Sequence, residues 1–176
     1  MPQLVLPSTD YQDSFLAALA EFQAEDLPNY NFRDLNVEEL RSNFGAYVEQ
    51  VLSERQGLNL PLGYVPHTVW WLVKGPEYLG RVDIRHQLNE QLLKLGGHIG
   101  YSIRSSQRRK GYGTLALKLA LEKARELGLH KVLVTCDIDN IGSNKIIQAN
   151  GGVLENTVEA GEGNPPKNRY WITLPV

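Results

Sequence analysis

Residues able to do chemistry are densest in the stretch Arg104-Ser105-Ser106-Gln107-Arg108-Arg109-Lys110-Gly111-Tyr112-Gly113-Thr114, where three consecutive cations run into glycines at 111 and 113. A run of β-forming residues ends at Ile103 and a helical pattern begins at Tyr112, so this basic loop opens directly into a helix. The first N–H groups of a helix lack intrahelical acceptors and sit at the positive end of its dipole. Glycine lets a phosphate approach those donors closely, and neighbouring Arg and Lys add charge-assisted bonds. The chemistry implied is capture of a phosphate-bearing ligand. Arg108, Arg109 and Lys110 would equally serve as a solvated surface run, and the glycines as a tight turn.

Gly111-Tyr112-Gly113-Thr114-Leu115-Ala116 also fits the dinucleotide pattern G-x-G-x-x-A, with Asp137 further on at the end of a strand. That reading fails on context. Its first glycine should follow the strand almost directly, yet residues 104–110 intervene. Its loop has no need of three cations, and too little chain follows Gly113 to complete a doubly wound sheet. No G-x-x-x-x-G-K-[ST] occurs, which excludes a Walker loop. A nucleic-acid reading of the basic run lacks an aromatic stacking platform beside it. His67, His86, His98 and His130 show neither helical i,i+4 pairing nor Cys/His clustering, so no metal site is expected.

The elements that must position these residues follow from periodicity. Gln3–Leu6 reads as a short strand, and Ser8, Thr9 and Asp10 offer caps for a helix carrying Phe15, Leu16, Leu19 and Phe22. Leu27-Pro28-Asn29-Tyr30-Asn31 breaks it. Asn36 and Glu39 resemble a capping box for a second amphipathic helix through Leu40, Phe44, Tyr47 or Val48, and Val51, ending near Gly57. Thr68–Val73 is a nearly continuous apolar strand. Tyr78–Arg85 alternates, with Val82 and Ile84 on one face and Arg81, Asp83 and Arg85 on the other. Asn89–Leu95 suggests a short helix, and His98–Ile103 a third strand of this group. Tyr112–Leu127 is a helix burying Leu115, Leu119 and Leu121, stopped by Gly128. Lys131–Cys136 is a buried strand, Ile141–Asn150 a helix, and Val153–Val158 and Arg169–Leu174 two closing strands around the loop at residues 160–167. The order β-α-α-β-β-β-α-β-α-β-β gives one α/β domain over residues 1–176 with a mixed sheet. Trp70 and Trp71 point to opposite faces of their strand and read as core, with one able to line a cleft.

Bulk properties bound the rest. A chain of 176 residues with net charge −2 has no global field to draw nucleic acid or an anionic membrane, so any anion site is local. Cys136 is the only cysteine, which points to a reducing compartment. The N-terminus lacks a signal-peptide pattern, and no apolar run is long enough to span a bilayer. The expectation is a cytoplasmic chain without a membrane or nucleic-acid partner.

Arg108-Arg109-Lys110-Gly111-Tyr112-Gly113 matches the signature [Q/R]-x-x-G-x-[G/A] and thereby resembles the GNAT superfamily of N-acetyltransferases. The flanking strand and helix, the segment Asn140-Ile141-Gly142-Ser143, similar to the family's N-x-x-[AS], and the element order extend the resemblance along essentially the whole chain. Arg85-His86-Gln87-Leu88-Asn89 with Gly96-Gly97-His98-Ile99-Gly100-Tyr101 looks like a group of bacterial acetyltransferases of unassigned substrate. The resemblance implies a GNAT-like, mostly antiparallel sheet flanked by helices, with acetyl-CoA as co-substrate and no metal. The strands at His98–Ile103 and Lys131–Cys136 would splay, with pantetheine between them bonding main-chain groups near Tyr101 and Ile103. The pyrophosphate would lie on the N–H groups of Arg108, Arg109, Lys110, Gly111, Tyr112, Gly113 and Thr114. Asn140 and Ser143 would orient the pantetheine arm, although both also suit helix capping. One position departs from the family: Ile147 stands where a tyrosine often protonates the departing thiolate.

Transfer to an amine requires that a base take the amine's proton. His98, at the head of the thioester strand, is the favoured base, although a histidine there also suits a local backbone bond. Asp83 is a second base or an acceptor anchor, and equally one member of a surface ladder with Arg81 and Arg85; His86 is weaker. The acceptor is a small-molecule or peptide amine, and a homodimer is possible. The competing function is a non-catalytic acyl-CoA sensor, for which the missing tyrosine speaks.

Overall fold

The computed structural model describes residues 1–25, 32 and 34–175. In chain order the elements are β1 (Gln3–Val5), α1 (Gln12–Ala24), α2 (Val37–Ser42), α3 (Phe44–Ser53), β2 (His67–Lys74), β3 (Glu77–Arg85), β4 (Ile99–Ile103), α4 (Tyr112–Glu126), β5 (Lys131–Asp137), α5 (Ile141–Ala149), β6 (Val153–Val158) and β7 (Lys167–Thr173). The expected order is observed, with two refinements. The second helix divides at Asn43, whose backbone (φ −137°, ψ 34°) leaves the helical region and interrupts it. The helix anticipated at 89–95 is largely a π-helical turn, Leu92–Gly96. The breaker Leu27–Asn31 lies outside the described residues.

The strands form two antiparallel sheets, β1-β2-β3-β4 and β5-β7-β6. Alternation along β2 and β3 sends their side chains to two cores. Val69, Trp71, Val73 and Tyr78 pack against α1 and α3, joined by Phe15, Phe44 and Phe32. Leu72, Leu79, Val82 and Ile84 pack against α4. The two tryptophans thus go to opposite faces: Trp71 is fully buried, while Trp70 is half-buried with the Lys123 ammonium over its ring. Neither lines the cavity described below. In α4 the inward residues are Ala116, Leu117, Ala120 and Ala124, while Leu115, Leu119 and Leu121 are only half-buried. Small alanines bring the helix close to the sheet, which a leucine stripe would hold off.

β3 also departs from its alternating pattern, because both faces are covered. Arg81 and Asp83 lie beneath the α1–α3 layer instead of in solvent. No helix among the described residues is long and apolar enough to cross a membrane.

Candidate active site

The two sheets touch at one point and then part. The N–H of His98 donates to the Leu133 carbonyl (2.7 Å), and the Leu133 N–H donates to His98 Nδ1 (2.9 Å). A Cβ on Gly97 would stand 2.6 Å from the Leu133 carbonyl oxygen, so only glycine permits this approach. Beyond the junction β4 is paired only with β3, in the register Asp83↔Gly100 and Arg81↔Ser102. The flanking bonds Arg85 N–H to His98 O and Arg104 N–H to Leu79 O show which residues of β4 face β3. By alternation, the N–H and C=O groups of Ile99, Tyr101 and Ile103 face the opening toward β5. An extended ligand can dock there as an added strand.

At the mouth of this opening lies the basic loop. No N–H group from Arg109 to Thr114 has an acceptor among the described residues. Six consecutive donors therefore converge at the start of α4, with Arg109 (φ 63°) and Gly111 (φ 81°) in the left-handed conformation that gathers successive N–H groups into an anion-binding concavity. Gly111 is required by that backbone. Gly113 serves packing, since a Cβ there would stand 2.6 Å from Ile146 Cδ1 of α5.

The cations of the loop divide in role. Arg108 is a brace: its guanidinium pairs through both terminal nitrogens with Glu25, and its Nε donates to the Ile103 carbonyl (2.8 Å). Arg104 makes a matching contact with Glu21, whose carboxylate also accepts from the Ser106 N–H and from both serine hydroxyls. Burial alone would raise the Glu21 pKa, but the Arg104 and Ser106 bonds outweigh it and bring it down to about 2. Lys110 Nζ caps the Ser106 carbonyl and Gln107 Oε1. Arg109 is exposed. The charge expected to reach the phosphate from Arg108 is thus spent on α1, and the loop offers chiefly main-chain donors and Arg109.

On the far side of the opening, Asn140 Oδ1 accepts from the Ser143 N–H and caps α5. The Ser143 hydroxyl meets the Tyr101 phenol at 2.7 Å, a contact that spans from β4 to α5. Burial pushes the Tyr101 pKa up to about 12, so the phenol remains protonated and able to donate. Ile147 is fully buried in the core and contributes no chemistry.

Beneath α3 lies a cavity of about 440 Å³, walled by Glu54, His67, Tyr64, Arg81, Asp83 and Arg85 among others. Arg81 grips Asp83 through Nε (2.9 and 3.0 Å) and Nη2 (2.5 Å). The two side chains are only 10% and 12% exposed, so each is the other's main compensation for lost water. His67 bonds Glu54 through Nε2 (3.0 Å) and the Val65 carbonyl through Nδ1 (3.0 Å). Burial would lower its pKa, but Glu54 and Val65 prevail and raise it. The site residues of the sequence thus fall into two groups: the cofactor set around the opening, and Asp83 in the cavity.

His98 belongs to neither. Burial and the Arg85 charge hold its pKa at about 4, so it is neutral, and Leu133 occupies its only lone pair. This contact ties His98 to β5 at the junction of the sheets and does not favour the base role expected of it. His86 Nε2 bonds Thr68 Oγ1 (2.8 Å), and its ring is not among the residues walling the cavity.

The model of the GNAT acetyltransferase domain matches residues 8–153. The chain belongs to the GNAT acetyltransferase family. It is accordingly an acetyltransferase that uses acetyl-CoA, and no group of three or more His, Cys, Asp or Glu side chains is gathered for a metal among the described residues. Solved structures of the same fold include the microcin C7 self-immunity acetyltransferase MccE with acetyl-CoA and AMP, at 17% identity and TM-score 0.71, covering 98% of this chain and 92% of that one. The ribosomal L7/L12 N-terminal acetyltransferase RimL with coenzyme A matches at 17% identity and TM-score 0.70, covering 98% and 94%. RimJ of Mycobacterium smegmatis with a coenzyme A disulfide matches at 16% and 0.71, covering 97% and 80%. No curated protein sequence matches the chain.

Within this GNAT site several residues escape sequence reasoning. Glu21 on α1 and Glu25 at its C-terminal cap are spaced i,i+4 and meet Arg104 and Arg108, also four apart; the matched spacing is the signal that could have paired them. The Tyr101 side chain emerges only from the contact with Ser143. Glu54 and His67 carry no local motif, because the cavity that joins them is assembled from distant segments.

Proposed function

We propose that this enzyme acetylates a free α-amine, carried by a peptide, that enters the cavity beneath α3. The observation that carries the reading is the register Asp83↔Gly100: the cavity's buried carboxylate lies alongside the strand whose main chain faces the opening. Main-chain donors at residues 109–114, with Arg109, hold the pyrophosphate of acetyl-CoA, and the outward groups of Tyr101 and Ile103 bond its pantetheine arm. Asn140 caps the helix that presents Ser143 to that arm.

Asp83, oriented by Arg81, anchors the amine and accepts its proton. The amine nitrogen then attacks the thioester carbonyl carbon, the C–N bond forms, and the C–S bond breaks. Tyr101 and Ser143 supply a hydroxyl proton to the departing sulfur and recover one from the acceptor side through Asp83 and solvent, leaving an acetylated amine and free thiol. These two hydroxyls do the work expected of a tyrosine at 147, which removes the main ground for a sensor that only binds. An α-amine has a pKa of about 7.7–8.0, against about 10.4 for a lysine amine, so it asks far less of a base at neutral pH. The activity of RimL on a ribosomal protein's terminus supports a peptide acceptor.

The test is a panel of peptides with free or blocked termini, lysine side chains, and small amines, incubated with acetyl-CoA and read by thiol release and mass. Free-terminus peptides should gain one acetyl group and blocked peptides none. Modification confined to lysine side chains or small amines would overturn the peptide assignment.

A further inference from the structure

Of the glycines in β3, in β4 and just before β4, Gly100 alone is not explained by the chain itself; a Cβ at Gly96 would meet Leu92 Cδ2 at 2.6 Å. A Cβ at Gly80 would meet the Ser102 carbonyl oxygen at 2.2 Å, and one at Gly97 would meet that of Leu133 at 2.6 Å. At Gly100, in the middle of β4, a Cβ would meet nothing within 4 Å, and the backbone is not left-handed. Glycine in a strand interior is unfavourable unless something must come close to it. Here neither backbone geometry nor packing asks for it.

The register says what lies over this space. Gly100 is the cross-strand partner of Asp83, so a side chain at 100 would project from the same face as the Asp83 carboxylate, toward the cavity. The main-chain groups of its neighbours, Ile99 and Tyr101, face the opening toward β5. Gly100 thus lies on β4 beside the Asp83 carboxylate, between that cavity residue and the opening, and it is only half-buried.

We infer that Gly100 is the passage over which the amine-bearing end of the acceptor reaches the thioester, and that the bare backbone at this position sets how bulky the carbon bearing the amine can be. The inference rests on the proposed acceptor cavity. It adds a specificity-determining residue that touches substrate without reacting. A side chain here should obstruct the acceptor, leave acetyl-CoA binding intact, and improve the fold, because it fills open space on a β-strand. A glycine kept for structural reasons would behave in the opposite way.

The experiment compares wild type with Gly100→Ala, Gly100→Val and, as the structural control, Gly80→Ala. Melting temperatures of the two Gly100 variants should equal or exceed wild type, while that of Gly80→Ala falls. Calorimetry should give unchanged acetyl-CoA affinity in both Gly100 variants. Transfer to the best peptide of the acceptor panel should fall progressively, by about 100-fold for valine, as expected when reacting groups are displaced by about 1 Å. Wild-type transfer to that peptide with undiminished transfer in Gly100→Val would overturn the inference alone. If wild type acetylates no amine, the functional reading fails, and Gly100→Cys decides this one separately. Its new thiol should react with 2-aminoethyl methanethiosulfonate, whereas the buried Cys136 of wild type should not. A folded Gly100→Cys variant that takes up no more reagent than wild type would show that no passage exists.

Discussion

The histidine at the head of β4 shows how a single proton location separates two roles. Leu133 donates to Nδ1, so the ring carries its proton on Nε2 and has nothing to accept with. An asparagine at this position would preserve the acceptor through Oδ1, and an alanine would leave the buried Leu133 N–H unsatisfied. His98→Asn should therefore retain kcat within about tenfold of wild type, while His98→Ala loses about 1–3 kcal/mol of stability in denaturant titration. A true base would leave both variants inactive, His98→Asn included. The Tyr101–Ser143 pair should behave differently: Tyr101→Phe and Ser143→Ala each lower kcat by about 100-fold, with coenzyme A affinity preserved in calorimetry. At acid pH three depressed groups act together, since burial and the His67 charge also lower His86. His98, folded at about 4, lets the unfolded chain bind a proton first, so stability falls as pH drops from 6.5 toward 4. Glu21, folded at about 2, adds a further loss between about 4.5 and 2. Melting temperature against pH should show both windows, and His98→Asn should shrink the upper one to the share left by His86.

At the scale of elements, the phosphate loop is held by α1. The pairs Glu21–Arg104 and Glu25–Arg108 clamp the segment between β4 and α4, which fixes where the six main-chain donors point. Arg108→Glu should release that segment and weaken coenzyme A binding, because the guanidinium braces the loop through Glu25. The exchange Glu25→Arg with Arg108→Glu should recover much of the loss in both affinity and melting temperature. If the double variant binds no better than the single one, Arg108 contacts the ligand itself. This division of labour also shows where the sequence was legible. The loop, its glycines and the capping residues Asn36 and Asn140 follow from local chemistry, and local chemistry is written in consecutive residues. The fate of Arg108 and the burial of Arg81 and Asp83 depend on what α1 and α3 lay over them. Nothing in the alternation of β3 announces a covered polar face, and the inward alanines of α4 look like a weaker stripe than the leucines beside them.

At the scale of the whole molecule, one contact point between two antiparallel sheets does the organising. Pinned at His98 and Leu133 and opening beyond, they leave one edge of β4 free for a thioester substrate and place the cavity beneath α3 on the face of β3 next to it. The order of strands and helices was readable because each has a distinct period and its own stops. The cavity was not, since Glu54, His67 and Asp83 come together only through the packing of α3 on the sheet. The central claim is that main-chain donors at the start of α4 and along β4 hold coenzyme A. Amide-resolved NMR titration tests it most directly. Coenzyme A should shift the N–H resonances of residues 109–114 together with those of Tyr101 and Ile103, and leave the cavity residues near Glu54 unmoved. Saturable binding that shifts the cavity amides, with residues 109–114 undisturbed, would contradict it.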